Sequence, residues 1–327
     1  MIHSGKLRRY NNLSLLRQLL RPVTIVMPNV RDMGLVLIGF FESLVRLIFW
    51  RPDVIFTKGG YVCLPVGMAA KVLKIPLVIH DSDAHPGLTN RILAKWATSI
   101  GTGAPLKYYA YPESISKYVG IPVDEAFRKL SAQEKNQAKQ NIGVDTKRPL
   151  LVITGGGLGA KRLNDAAALS LSKLLSVCSV VLISGTKQYD ELRSLTPHNN
   201  DKFQLHAFIS RNMAEFLGAA DVVVARAGAT TILELAALAT PTVLVPNGYL
   251  TGGHQLKNAA AYAENGAVKV IDEHALDTDV TLLFSTVKLL LSNNAERHTM
   301  GQKFHAFSRP DAAKDMAAMI IEAAKQA

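Results

Sequence analysis

The feature that most constrains this chain is a repeated alternation of short apolar runs with longer helical stretches. The runs are VTIVMP (23–28), DVIFT (53–57), PLVIH (76–80), PLLVIT (149–154), SVVLIS (179–184), FQLHAF (203–208), DVVVA (221–225), PTVLVP (241–246) and AVKVI (267–271). Between most of them lie helical stretches of ten or more residues, such as 62–73, 160–176, 229–239 and 254–264. Strands that are apolar throughout, each followed by a helix, predict a parallel sheet covered on both faces. The rhythm breaks between about 104 and 148, where APLKYYAYPE, YVGIPVDEAF and the polar helix SAQEKNQAKQNIGV follow one another. This break predicts a linker between two α/β halves of Rossmann type, with a ligand cleft between them. A chain of 327 residues, 48% of them hydrophobic, has the material for two such cores.

Charge is uneven. The net charge is +11, and residues 1–51 concentrate eight basic side chains (Lys6, Arg8, Arg9, Arg17, Arg21, Arg31, Arg46, Arg51) against Asp32 and Glu42. Such a region suits an anionic lipid, an anionic metabolite or nucleic acid. No nucleic-acid motif and no aromatic-interleaved basic run accompanies it, which argues against nucleic acid. Cys63 and Cys178 are far apart and lack metal-type spacing, as in a reducing cytosol. The first twenty residues carry no cleavable-signal pattern.

The stretch GLVLIGFFESLVRLIFW (34–50) is apolar except for Gly39, Glu42, Ser43 and Arg46, which share one arc of a helical wheel. It is short for a bilayer span and holds two charges. A core helix and a helix lying in a membrane surface both remain open. The neighbouring positive charge favours the surface helix, with Phe40, Phe41, Leu44 and Trp50 as its membrane contacts.

Four glycine turns directly follow expected strands: KGG (58–60), TGGGLGAKRLN (154–164), RAGATT (226–231) and PNGYLTGGHQ (246–255). Ligands of open parallel sheets bind beyond the carboxyl ends of the strands, and glycine allows close backbone approach there. Three of the four lie in the C-terminal half, which is therefore expected to hold a nucleotide or another phosphate carrier. No loop is a Walker A motif, and none matches the dinucleotide fingerprint with its acidic partner. At RAGATT, Thr230 and Thr231 open a helix whose bare N–H groups would receive an anion. Glu234 either completes a capping box with Thr231 or accepts the hydroxyls of a ribose. In His80-Asp81-Ser82-Asp83, D-x-D resembles a metal–diphosphate site, but two turn-forming aspartates explain it more simply. His254 and Gln255 open a helix, as caps or as sugar contacts.

These residues resemble the MurG family, the family 28 glycosyltransferases that add N-acetylglucosamine to lipid I in murein synthesis. The matching stretches are SGKLRRY (4–10), residues 51–97 from RPDVIFTKGG to ILAKWA, ITGGGLGAKRLN (153–164), the strand leading into RAGATTILELA, and GGHQLKNA (252–259). The resemblance implies a GT-B fold, two Rossmann-like domains with parallel sheets facing across a cleft. The first domain is expected over 1–123 with the helix 311–327 packing back on it, and the UDP-sugar domain over 124–310. The resemblance implies that Glu234 accepts the ribose hydroxyls and that Arg226, Gly228, Ala229, Thr230 and Thr231 hold the diphosphate. Ile209 would lie at the uracil, Gln255 and His254 at the sugar, and Gly157 in a loop closing over the donor, with Asp83 also assigned to the donor.

The implied reaction is inverting transfer from UDP-GlcNAc to an undecaprenyl-diphosphate-linked muramyl-pentapeptide, without a cofactor or an obligatory metal. Its implied place is the cytoplasmic face of the cell membrane, held peripherally by anionic lipid. The family opens with a strand and a G-G-T-G-G-H loop whose histidine is a proposed base; this sequence starts near SGKLRRY, so an N-terminally truncated chain is expected. His80 and Asp81 are then the candidates for the base. Three further positions depart from the family: its H-E-x-N is His80-Asp81-Ser82-Asp83, its arginine after G-N-P-V is Asp124 with Arg128 out of register, and its G-G-S-x-G-A serine is Gly157. A related family 28 glycolipid glycosyltransferase is the alternative, as is a truncated, non-catalytic nucleotide-sugar-binding protein.

Overall fold

The computed structural model describes residues 2–6, 20, 22–157, 159–248 and 253–326. Arg8, Arg9, Arg17 and Arg21 of the basic segment, and most of SGKLRRY, lie outside them. The chain forms two compact units, one of residues 1–122, 249–254 and 311–327, the other of 123–248 and 255–310.

The first unit begins with a π-helical turn at Pro22–Val26 that runs into α1 (Met27–Trp50). The run at 23–28, expected as a strand, is therefore helical. Its Pro28 falls in the first helical turn, where a missing N–H costs nothing. Pro52 follows the end of α1 and cannot continue it. Then come β1 (Ile55–Thr57), α2 (Cys63–Val72), β2 (Leu77–Asp81), α3 (Leu88–Leu93), β3 (Ser99–Thr102) and β4 (Ser116–Tyr118). These four strands pair in parallel in the order β1-β2-β3-β4.

The second unit contains α4 (Ala132–Asn141), β5 (Leu150–Thr154), α5 (Lys161–Val177), β6 (Ser179–Ile183), α6 (Tyr189–Leu195), β7 (Phe203–His206), α7 (Met213–Ala219), β8 (Val222–Ala225), α8 (Ala229–Leu238) and β9 (Thr242–Leu244). It continues with α9 (His254–Ala263), β10 (Lys269–Val270), α10 (Ala275–Thr278), α11 (Leu282–Ser292) and α12 (Asn294–His305). Its six parallel strands run β10-β9-β8-β5-β6-β7. Every residue of β5, β6, β8 and β9 is buried, as sheets covered on both faces require. The last helix, α13 (Ala312–Ala324), belongs to the first unit, where Met316, Met319 and Ala323 pack with Val78 and Val119.

The helix α1 is oriented by its small residues. Gly39 and Ser43 are buried, and Leu47 joins Ala69, Ala70 and Ile75 in a core that Phe40 and Leu44 also pack against. Segment 2–6 covers the polar arc. A Cβ on Gly5 would stand 2.0 Å from the carbonyl oxygen of Asp32, so glycine is what permits the approach. Glu42 accepts from the His3 N–H at 2.9 Å and pairs with its Nδ1 at 2.7 Å. The apolar remainder faces outward: Phe41 is 61%, Phe49 86% and Trp50 77% exposed. Among the described residues this is the one helix, with its π-helical lead, long and apolar enough to cross a membrane.

Candidate active site

The second unit's strand order places β5 between β6 and β8, so successive crossovers leave β5 in opposite directions. That reversal is the switch point at which open α/β sheets bind ligands. Register brings the strand ends level, since Thr154 pairs with Ala225 and with Ile183, and Ala225 with Leu244. The loop after β5 therefore lies beside the loop after β8.

The first of these loops turns through Gly156 and Gly159, at φ +75° and +74°. A Cβ on Gly159 would meet the Ser184 carbonyl oxygen at 2.5 Å, so the turn is closed against the end of β6. Gly157 has open space around its Cβ position. Asn164, fully buried in α5, donates to the Ser184 carbonyl and to Gln188 Oε1, each at 2.8 Å, and fixes the loop from beneath.

The second loop carries α8. Its N-cap is Gly228, with no side-chain cap and no acidic residue in the first turn. The first internal bond comes from Ile232 N–H to Gly228, so the N–H groups of Ala229, Thr230 and Thr231 stand at the helix mouth. Aligned peptide dipoles make that mouth favourable for an anion. Because the helix starts at Ala229, Thr231 is its third residue rather than its cap, and Glu234 lies a turn deeper. A capping box is thereby ruled out. Glu234 is half-buried with no hydrogen bond or ion pair among the described residues, and burial raises its pKa above the ordinary carboxylate value.

Other anticipated residues are distributed around these loops. Ile209 is half-buried beyond β7. Gln255 Oε1 accepts from Asn247 N–H at 2.8 Å, which leaves its amide N–H groups to donate. The guanidinium of Arg226 is not presented at the helix mouth. It is buried, donates to Val245 O at 3.0 Å and pairs with Glu273. Arg128, out of register with the family arginine, pairs with Glu134 of the α4 capping box. Asn258, to which no sequence motif assigns a role, donates its amide N–H to the Ala227 carbonyl at 3.2 Å and ties α9 to the RAGATT loop. No local pattern marks Glu273, in IDEH, or Arg162, in GAKRLN.

In the first unit, the ends of β1 and β2 carry Lys58-Gly59-Gly60 and His80-Asp81-Ser82-Asp83. His80 is wholly buried, with Nε2 on the Gly120 carbonyl at 2.7 Å and Nδ1 on Ser82 at 3.3 Å, so both ring nitrogens are engaged. Burial lowers its pKa. Asp81 turns inward and accepts from Tyr111 Oη at 2.8 Å. Burial lifts its pKa to about 6, against the opposing hydrogen bonds from Tyr111 and Asn90. The D-x-D pair thus diverges, with Asp81 buried and Asp83 half-exposed.

Known proteins resemble this chain in sequence and in fold. Residues 18–102 match the glycosyltransferase family 28 N-terminal domain, and residues 150–316 the family 28 C-terminal domain. The chain belongs to glycosyltransferase family 28. Among family members, it is 32% identical over 305 residues to the UDP-N-acetylglucosamine–N-acetylmuramyl-(pentapeptide) pyrophosphoryl-undecaprenol N-acetylglucosamine transferase 2 of Bacillus cereus, covering 93% of this chain and 80% of that one. It is 33% identical to the corresponding transferase of Leuconostoc mesenteroides, covering 90% and 80%. The crystal structure of Acinetobacter baumannii MurG superimposes with a TM-score of 0.71 at 27% identity, over 88% of this chain and 80% of that one. A Neisseria meningitidis UDP-GlcNAc 2-epimerase shares the fold, with a TM-score of 0.64 at 13% identity over 88% and 82%. This family 28 chain is accordingly a hexosyltransferase of the GT-B fold.

Proposed function

We propose that this chain transfers N-acetylglucosamine from UDP-GlcNAc to undecaprenyl-diphosphate-linked N-acetylmuramyl-pentapeptide, with inversion at the anomeric carbon. The observation that carries the donor half is Glu234, half-buried with no hydrogen bond or ion pair among the described residues, one turn behind the bare N-terminus of α8. A carboxylate able to accept two ribose hydroxyls, on the helix whose mouth would receive a diphosphate, suits a nucleoside-diphosphate sugar. Ile209 supplies backbone for the uracil, and Gln255 an amide for the sugar hydroxyls.

An acceptor hydroxyl attacks the anomeric carbon as the bond to the diphosphate breaks. The departing UDP gathers negative charge, which the α8 N–H groups stabilise in a site where few waters compete. The acceptor's proton goes to a general base. His80 has both ring nitrogens engaged, which leaves Asp81, whose pKa burial raises to about 6, as the remaining candidate. The outward apolar face of α1, beside Arg31, Arg46 and Arg51, supports a peripheral seat on the anionic cytoplasmic leaflet. That is where a lipid-linked acceptor resides.

The test is transfer of labelled GlcNAc from UDP-GlcNAc to a short-chain lipid I analogue by the purified 327-residue protein. Formation of the disaccharide lipid is expected. Bound UDP with transfer to diacylglycerol instead would assign a sister glycolipid activity. Bound UDP with no transfer to either acceptor would make this a nucleotide-sugar-binding protein.

A further inference from the structure

Two arginines from opposite sides of the switch point converge on one buried carboxylate. Arg162 stands in the first turn of α5, immediately after the 155–160 glycine loop. Arg226 follows β8 and precedes Gly228. Glu273, from the turn between β10 and α10, takes the Arg226 Nη2 hydrogen bond on Oε1 and has Arg162 Nη1 at 3.7 Å from Oε2. Arg162 Nε also donates to Asp277 at 2.9 Å, while Arg226 reaches the Val245 carbonyl at 3.0 Å. Glu273 is 4% and Arg226 8% exposed, and Glu273 Oε2 accepts no hydrogen bond among the described residues. Glu273 thus joins the segments after β5, β8 and β10, and Arg226 adds the end of β9.

We infer that Glu273 is a positioning residue for the donor diphosphate: it sets the distance between the 155–160 glycine loop and the N-terminus of α8. A buried carboxylate persists only with its charge compensated, so Glu273 pins both arginines, and with them both loops. Hydrogen-bond donors aimed at a developing charge act by being fixed beforehand, and small displacements of such groups are costly. Neither arginine needs to touch phosphate for this, and Arg226 is turned away from the helix mouth. The inference rests on the donor reading above and adds the residue that holds its two halves in register.

Two variants test it. Glu273→Gln keeps the shape and one acceptor but removes the charge. Arg162→Met releases the glycine loop while leaving the Arg226–Glu273 pair intact. Affinities for UDP and for uridine are measured by calorimetry and competition, alongside donor and acceptor KM and the thermal midpoint. Both variants are expected to lose UDP affinity at least fivefold and to raise donor KM by a similar factor. Uridine affinity and acceptor KM are expected to hold, because Glu234 and Ile209 are untouched. Equal loss for UDP and uridine would reduce Glu273 to general scaffolding, and unchanged UDP affinity would remove the role altogether. If Glu273→Gln does not fold, Arg162→Met decides. A wild-type protein that fails to bind UDP would overturn the donor reading itself, a result distinct from either variant outcome.

Discussion

Gly39 lies directly beneath the backbone of His3: a Cβ there would stand 1.8 Å from the His3 carbonyl oxygen. That contact lets segment 2–6 lie flat on α1 and deliver two hydrogen bonds to Glu42. Gly39→Ala must push the segment away. Although alanine is the better helix former, we expect the variant to lose on the order of 1–3 kcal/mol, the range for overpacking at a close contact. Chemical denaturation measures this, and a variant as stable as the wild type would show that the segment is not anchored at Gly39.

The same helix shows where sequence reading succeeds and where it stops. Its wheel separates Gly39, Glu42, Ser43 and Arg46 from an apolar remainder, but periodicity cannot say which side meets the protein. Ordinary patterning would bury the apolar side. Here glycine and serine permit close backbone approach, so the small side turns inward, and Phe40 and Leu44, expected at the membrane, pack on the core instead. The second unit was far more legible, because each of its all-apolar strands is followed by a glycine turn and a helix, and level register converts those turns into one site. Glu234 was visible as a carboxylate near RAGATT. Its two readings separated only when the helix start fell at Ala229. The bridge from Arg162 through Glu273 to Arg226 joins residues far apart in the chain, and no local pattern announces it.

Glu234→Ala should abolish the ribose contact without disturbing α8, whose capping it does not serve. Hydrogen bonds to a charged group are worth about 1.5–3 kcal/mol, so UDP affinity should fall roughly 10- to 150-fold. Burial raises the Glu234 pKa, and protonation removes acceptor capacity. UDP affinity in the wild type should therefore weaken on acidification at a higher pH than an ordinary glutamate would dictate, and the Ala variant should lack that titration. Calorimetry across pH tests both points, and an unaltered affinity in the variant would refute the ribose role.

Asp81 sets stability against activity. Its pKa rises from 3.8 to about 6 in the folded protein. Between those values the folded state holds a proton that the unfolded state has released, so stability declines as pH climbs through this window and stays lower above it. Asp81→Asn keeps an acceptor for Tyr111 and removes the buried charge. We expect it to gain on the order of 1–3 kcal/mol above pH 6, nothing at pH 4, and to lose roughly 10²- to 10⁴-fold in kcat if Asp81 is the base. In the wild type, kcat should fall as pH drops below about 6. Denaturation and rate profiles over pH 4–8 check these together; a destabilised Asn variant with normal kcat would contradict both expectations.

The outward face of α1 offers a last separation, between residues that bind a surface and residues that build the fold. Phe41, Phe49 and Trp50 are exposed, whereas Phe40 and Leu44 pack inward. Replacing the three exposed aromatics by serine removes apolar area from solvent rather than from the core, so the thermal midpoint should hold. Binding to vesicles containing anionic phospholipid should fall tenfold or more, because each interfacial aromatic contributes by insertion. Phe40→Ser and Leu44→Ser should behave oppositely, lowering stability by about 1–3 kcal/mol through lost packing and leaving the vesicle affinity of the folded fraction unchanged. Raising ionic strength screens the attraction of Arg31, Arg46 and Arg51 to the lipid but not aromatic insertion. Wild-type binding should therefore weaken with salt without vanishing, and binding by the triple variant should vanish. Co-sedimentation at two salt concentrations reads all of this. Equal binding by the wild type and the triple variant would mean that α1 does not present its apolar face to the membrane.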